Sequence, residues 1–120
     1  MIKVVFFGTE QFAVSVLQSL LKQPNDFNVL CAVTQPPRPV GRKQIVTPSP
    51  VARVAEEGGI EIFTPTTLKK TEVVEYLKKF NADVFVVAQY GLIIPTSILE
   101  IAPHGCVNVH GSLLPKYRGA

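Results

Sequence analysis

The chain has 120 residues, of which 47% are apolar and 18% charged, a balance that excludes the disordered and low-complexity classes and suits one globular domain. A domain of this length buries roughly two-thirds of the surface its unfolded form exposes, so it needs no disulfide or metal staple. The formal charge of +3 is too small to announce a nucleic-acid binder by itself, and no apolar run approaches the ~20 residues of a membrane span.

In chain order, residues 4–7 (Val4, Val5, Phe6, Phe7) are a continuous apolar run, too short for a signal-peptide core and suited to a buried strand. Phe12, Val16, Leu17, Leu20 and Leu21 then recur at helical spacing, with Thr9 as the predicted N-cap. Residues 29–33 are a second strand. Residues 34–50, rich in proline and cations, read as a mobile loop. Residues 50–57 predict a helix, opened by Pro50 and closed by Gly58-Gly59. A minor strand over 61–63 precedes a helix carrying Val73, Val74, Leu77 and Phe80, a third apolar strand at 84–88 and a short helix at 97–101. A last strand, 106–109, carries Asn108 and ends at His110.

Strands without polar alternation, separated by helices, indicate right-handed crossovers and an α/β fold with a Rossmann-like, doubly wound parallel sheet. Ligands in such folds lie beyond the carboxyl ends of the strands, where strand order reverses. Those ends here are Gly8, Thr34-Gln35, Gln89-Tyr90-Gly91 and His110-Gly111. The turn Gly8-Thr9-Glu10-Gln11-Phe12 lacks the glycines of GxGxxG, so a dinucleotide has no cradle there, and there is no Walker A sequence. Cys31 and Cys106 lie in apolar runs and read as reduced core thiols of a cytosolic protein, and no cluster at ligand spacing implies a metal.

Asn108 and His110, two residues apart on a strand, share a face at the ligand-binding edge. An amide and an imidazole there can donate hydrogen bonds to an oxygen that gains negative charge, as acyl transfer requires. A strand-end histidine with its own partner and an asparagine that forms a turn fit the same residues. The longer stretch Asn108-Val109-His110-Gly111-Ser112-Leu113-Leu114-Pro115, followed by Tyr117-Arg118-Gly119, resembles the signature of the 10-formyltetrahydrofolate-dependent formyltransferases. The resemblance implies that Asn108 and His110 polarise the formyl group, and that Ser112, Leu113, Leu114 and Pro115 line the folate site. Gln89-Tyr90-Gly91-Leu92-Ile93-Ile94-Pro95 is similar to the family's Ala-Tyr-Gly-Leu-Ile-Leu-Pro, which implies that Tyr90, Gly91, Leu92 and Ile94 hold the pterin. Gln89 departs from the small or apolar residue usual there. Gly8-Thr9-Glu10-Gln11-Phe12-Ala13 resembles Gly-Thr-Pro-x-Phe-Ala, with Glu10 in place of proline.

Within the family, the segment Thr34-Gln35-Pro36-Pro37-Arg38-Pro39-Val40-Gly41-Arg42-Lys43 resembles an insertion in the methionyl-tRNA formyltransferase branch that reaches the acceptor arm. It gathers Arg38, Arg42 and Lys43 with no acidic residue, a composition suited to phosphates. The resemblance thus implies transfer of a formyl group from 10-formyltetrahydrofolate to the α-amine of initiator methionyl-tRNA, by an enzyme of the bacterial cytoplasm or an organellar matrix, monomeric when full length, with no metal and no membrane. It also implies that a catalytic Asp, the remaining strands and a C-terminal β-barrel domain lie beyond Ala120. Residues 1–120 are therefore expected to be the first part of an incomplete catalytic domain, inactive alone. A formyltransferase acting on a sugar or small amine, and a non-catalytic folate-binding piece, are the alternatives.

Overall fold

The computed structural model describes residues 1–110. Its elements are β1 (Ile2–Gly8), α1 (Gln11–Leu21), β2 (Phe27–Val33), β3 (Arg38–Val40), β4 (Ile45–Thr47), α2 (Pro50–Glu57), β5 (Glu61–Phe63), α3 (Thr71–Lys78), β6 (Val84–Ala88), α4 (Thr96–Leu99) and β7 (Cys106–Asn108). Five strands form one sheet in the order β5-β2-β1-β6-β7, every neighbouring pair parallel. The chain winds outward from β1 to β5, then crosses back to β6 and continues to β7. Strand order therefore reverses between β1 and β6, which makes that gap the expected ligand crevice.

Period-two alternation divides the sheet residues between two cores. Val4 and Phe6 pack with Ala13, Leu17, Val51 and Ala55, so α1 and α2 cover one face. Val5, Phe7, Phe85 and Val87 pack with Val73, Leu77 and Ile98, so α3 and α4 cover the other. Residues buried from both sides leave no room for polar alternation, and Val4, Val5, Phe6 and Phe7 of β1 are fully buried. The doubly wound α/β fold expected from the sequence is the one observed.

Helix ends follow local chemistry in one case and not in another. Ser49 caps α2, its hydroxyl accepting from the Ala52 N–H at 3.0 Å, with Pro50 at the first helical position, where a missing N–H costs nothing. Gly59, at φ +69°, follows the helix in the left-handed conformation. Thr9 does not cap α1. Glu10 holds that position without a side-chain cap bond, because the Thr9 hydroxyl is engaged across the sheet.

Residues 34–50 are more ordered than the loop expected from their prolines. β3 and β4 pair as an antiparallel hairpin, Arg38 opposite Thr47 and Val40 opposite Ile45. The turn places Gly41 at φ +74° and Gln44 at φ +51°, and both the main-chain N–H and side-chain amide of Gln44 donate to the Gly41 carbonyl. Pro39 is accommodated because the hairpin is a free two-stranded ribbon with solvent at its edges.

Candidate active site

Three strand ends meet at the reversal point, joined by buried polar bonds. Thr9, which follows β1 and is 1% exposed, donates its hydroxyl hydrogen to the Tyr90 carbonyl at 2.7 Å, and its N–H donates to the Gln89 carbonyl at 3.1 Å. Gln35, which follows β2, donates its main-chain N–H to the Thr9 hydroxyl oxygen at 3.3 Å and its side-chain amide to the same Tyr90 carbonyl at 2.9 Å. These bonds fix the loop after β6 in an unusual path. Gln89 has φ +49° and Gly91 φ +98°, so the chain turns sharply out of the sheet. A Cβ on Gly91 would lie 2.1 Å from the Gln35 amide nitrogen, which occupies the space a side chain would need.

That path sets one wall of an open concavity of about 490 Å³, lined by Gln89, Gly91, Leu92 and Ile94 from the loop and by Asn108 and His110 from the end of β7. β7 is held in register with β6, Asn108 opposite Val87, and the Val109 N–H donates to the Val87 carbonyl at 2.8 Å. Cys106 packs with the α3–α4 core and Val109 with the α1–α2 core, so Asn108 and His110 face the α4 side. Both are exposed, and their donors are open to a ligand in the concavity. Ser112, Leu113, Leu114 and Pro115 lie outside the described residues.

Tyr90 serves differently from its neighbours. Its ring is 2% exposed and packs edge-on against Phe7, with centroids 5.5 Å apart. What it offers the concavity is main chain, and burial pushes its hydroxyl up to about 12. That hydroxyl has no hydrogen-bond partner among the described residues. Cys31 is buried and Cys106 half-buried, both free. Burial, and secondarily the Glu61 carboxylate, pushes the Cys31 thiol up to about 12. Burial raises the Cys106 thiol as well.

The cations of the hairpin separate into two kinds. Arg38 pairs with Glu10 at 2.5 Å, both half-exposed, and the two line a second concavity of about 360 Å³ together with Pro48 and Arg53. Glu10, the residue that departs from the family's proline, therefore supplies the acidic partner that the hairpin segment itself lacks. Arg42 and Lys43 sit exposed at the turn, with no ion pair among the described residues. The hairpin's base is closed by the Thr34 and Ser49 hydroxyls, 2.6 Å apart and both buried. Sequence reasoning placed Thr34 and Gln35 at a strand end expected to meet ligands and gave Thr9 as a helix cap, but it missed the bonds these residues make, as well as Arg53 and Ser49. Their partners lie far along the chain, and the one available signal was that Thr9, Thr34 and Gln35 are polar residues at strand ends.

Among the described residues no three His, Cys, Asp or Glu side chains gather into a metal-binding group, and no helix is long and apolar enough to cross a membrane.

The family profile described as formyl transferase matches residues 2–120. The chain is 51% identical over 118 residues to the methionyl-tRNA formyltransferase of Caldicellulosiruptor saccharolyticus, an alignment covering 98% of this chain and 38% of that protein. It is 48% identical over 119 residues to the enzyme of the same name from Desulfotalea psychrophila, covering 99% and 36%. The chain thus spans well under half the length of these curated relatives. Among solved structures, glycinamide ribonucleotide transformylase 1 of Symbiobacterium toebii superposes with a TM-score of 0.68 at 18% identity, covering 99% of this chain and 56% of that one. The Geobacillus kaustophilus protein of that name gives 0.65 at 22%, covering 99% and 63%. At such identities the likeness speaks for the fold alone.

Proposed function

The chain belongs to the formyl transferase family, and from that premise we propose that it forms part of an enzyme passing a formyl group from 10-formyltetrahydrofolate to the α-amine of methionine on initiator tRNA. The observation that carries this reading is the convergence of Asn108 and His110 with the apolar loop 89–94 on one concavity. Leu92 and Ile94 give flat apolar walls, and main-chain groups of a sharply turned loop give a few directed hydrogen bonds, which together suit a heteroaromatic ring. Ser112, Leu113, Leu114 and Pro115 are proposed to extend this folate surface.

The chemistry asked of the side chains is limited. The acceptor nitrogen bonds to the formyl carbon, and the carbon's bond to the donor nitrogen then breaks as the acceptor nitrogen loses a proton and the donor nitrogen gains one. The carbonyl oxygen gains negative charge on the way, and the Asn108 amide and His110 imidazole donate to it there. The amine must be neutral to attack and titrates near pH 8, so turnover rises with pH toward that value. Arg42 and Lys43 at the hairpin turn contact phosphates of the acceptor arm, with Arg38 behind them. This reading is of a soluble enzyme of the cytoplasm or an organellar matrix, monomeric and free of metal.

The test is steady-state formylation of methionyl-tRNA by the intact protein and by its Asn108→Ala and His110→Ala variants. Each variant is expected to lose about 10²–10³ in kcat, with little change in folate affinity. Unchanged kcat in both would overturn the assignment. Full activity after Arg42→Ala and Lys43→Ala together would remove the hairpin turn from tRNA binding, and no formylation of methionyl-tRNA by the wild-type protein would turn the acceptor to a sugar or small amine.

A further inference from the structure

The hairpin and the loop 89–94 face different partners in the reading above, yet they share one side chain. Gln35 is the residue by which β2 enters the hairpin segment, and its amide donates to the Tyr90 carbonyl at 2.9 Å in the loop that walls the concavity. The same amide nitrogen fills the space beside Gly91. A movement at the base of the hairpin therefore moves a donor on the loop. The Thr34–Ser49 hydroxyl pair holds that base closed.

The bond is not required for satisfaction of the loop. The Tyr90 carbonyl also accepts from the Thr9 hydroxyl at 2.7 Å, and Thr9, unlike Gln35, is buried. Without the Gln35 amide, that carbonyl still has a partner and no buried polar group is orphaned. Gln35 is only half-buried. A bond that is second to a sufficient one, made by the one residue shared between hairpin and loop, is placed to transmit position.

We propose that Gln35 is a positioning residue that couples the two substrate sites. RNA held on the β3–β4 hairpin draws residues 89–94 into the geometry that grips the formyl donor, and the donor in turn favours the hairpin position that holds RNA. The inference rests on the assignment of the concavity to folate and of the hairpin to tRNA. Reciprocity follows from thermodynamic linkage, with typical couplings of about 5–150-fold.

The experiment measures the affinity of the intact protein for a stable 10-formyltetrahydrofolate analogue with and without initiator tRNA. Wild-type protein is expected to show at least about a fivefold difference between the two conditions. Gln35→Ala brings the ratio to one while its affinity for tRNA alone is unchanged. Gln35→Glu, which keeps the size but loses the donor, does the same. Arg42→Ala instead weakens tRNA binding itself. A ratio of one in wild type, or an unchanged ratio in Gln35→Ala, overturns the coupling. Amide hydrogen exchange on the unliganded protein decides the link even if neither ligand binds, an outcome that would count against the functional reading. Gln35→Ala then raises exchange in both the hairpin and residues 89–94, and a rise confined to residues 34–36 overturns the proposal.

Discussion

Replacing Gly91 by alanine tests the loop that forms the concavity wall. Two costs arise, and both can be worked from the structure. The first is conformational: at φ +98° an L side chain is strained, at about 1–3 kcal/mol. The second is local: the new Cβ would lie 2.1 Å from the Gln35 amide nitrogen and 3.4 Å from its Cδ. The nitrogen is the far end of a flexible side chain, so the amide can swing away. Doing so removes its bond to the Tyr90 carbonyl, worth about 0.5–1.5 kcal/mol. Alanine also restricts the unfolded chain, returning about 0.4–1 kcal/mol. The net expectation is a destabilisation of about 0.5–4 kcal/mol, centred on about 2, read from urea unfolding followed by circular dichroism. The sharper readout is the double-mutant cycle with Gln35→Ala. In that background the amide is already gone, so Gly91→Ala should cost about 1 kcal/mol less than in wild type. A strictly additive cycle, or a Gly91→Ala cost below about 0.5 kcal/mol, would refute both the packing of Gln35 over Gly91 and the strain at that turn.

Three other outcomes follow from the same geometry. Tyr90→Phe removes a buried hydroxyl that has no partner among the described residues, so stability in urea should be unchanged or raised by up to about 1 kcal/mol; a clear loss would reveal a partner for that oxygen. The Tyr90 hydroxyl and Cys31 thiol are both pushed up to about 12, so the folded state holds their protons more tightly than the unfolded one. Their contribution is whole below the unfolded values and is lost as pH rises through the folded ones, so stability should fall between about pH 9 and 12, and less steeply in Cys31→Ala. Arg42→Ala should lower RNA affinity and reduce its salt slope by about 0.7–0.9, while Glu10→Gln, which releases Arg38, should raise affinity with a stability change within about 1 kcal/mol. Equal salt slopes for wild type and Arg42→Ala would remove that residue from the phosphate contacts.

What could be read from the residues alone was what local chemistry decides. β6 and α2 have the bounds expected, since continuous β-branched residues mark one, and Pro50 with Gly58-Gly59 mark the other. The hairpin was obscured because the five prolines of residues 34–50 outweigh the short β-branched pieces Val40 and Ile45-Val46, and pairing across a turn is what makes those pieces strands. Thr9 illustrates the limit most clearly. Beside a helix start its hydroxyl suggests a cap, but its partner is a carbonyl 81 residues away. The same reason hid the burial of the Tyr90 ring, which depends on Phe7 arriving from another strand. Glu10 and Arg38, 28 residues apart, meet only when the hairpin folds against the start of α1, so a count of charge within the hairpin overstated what is free. The placement of Asn108 and His110 on one face was legible because period two is a property of any strand.

The closed neck of the hairpin also bears on how acceptor preference could change. Because the Thr34 and Ser49 hydroxyls join the two ends below the ribbon, those ends stay together whatever length of chain lies between them. Lengthening such a segment is inexpensive, since doubling a flexible loop adds only about 0.6 kcal/mol of closure entropy. Residues 36–48 are therefore a graft site: under the function proposed above, a segment of another length or charge spliced between the two hydroxyls would alter the acceptor and leave the chemistry proposed for Asn108 and His110 untouched.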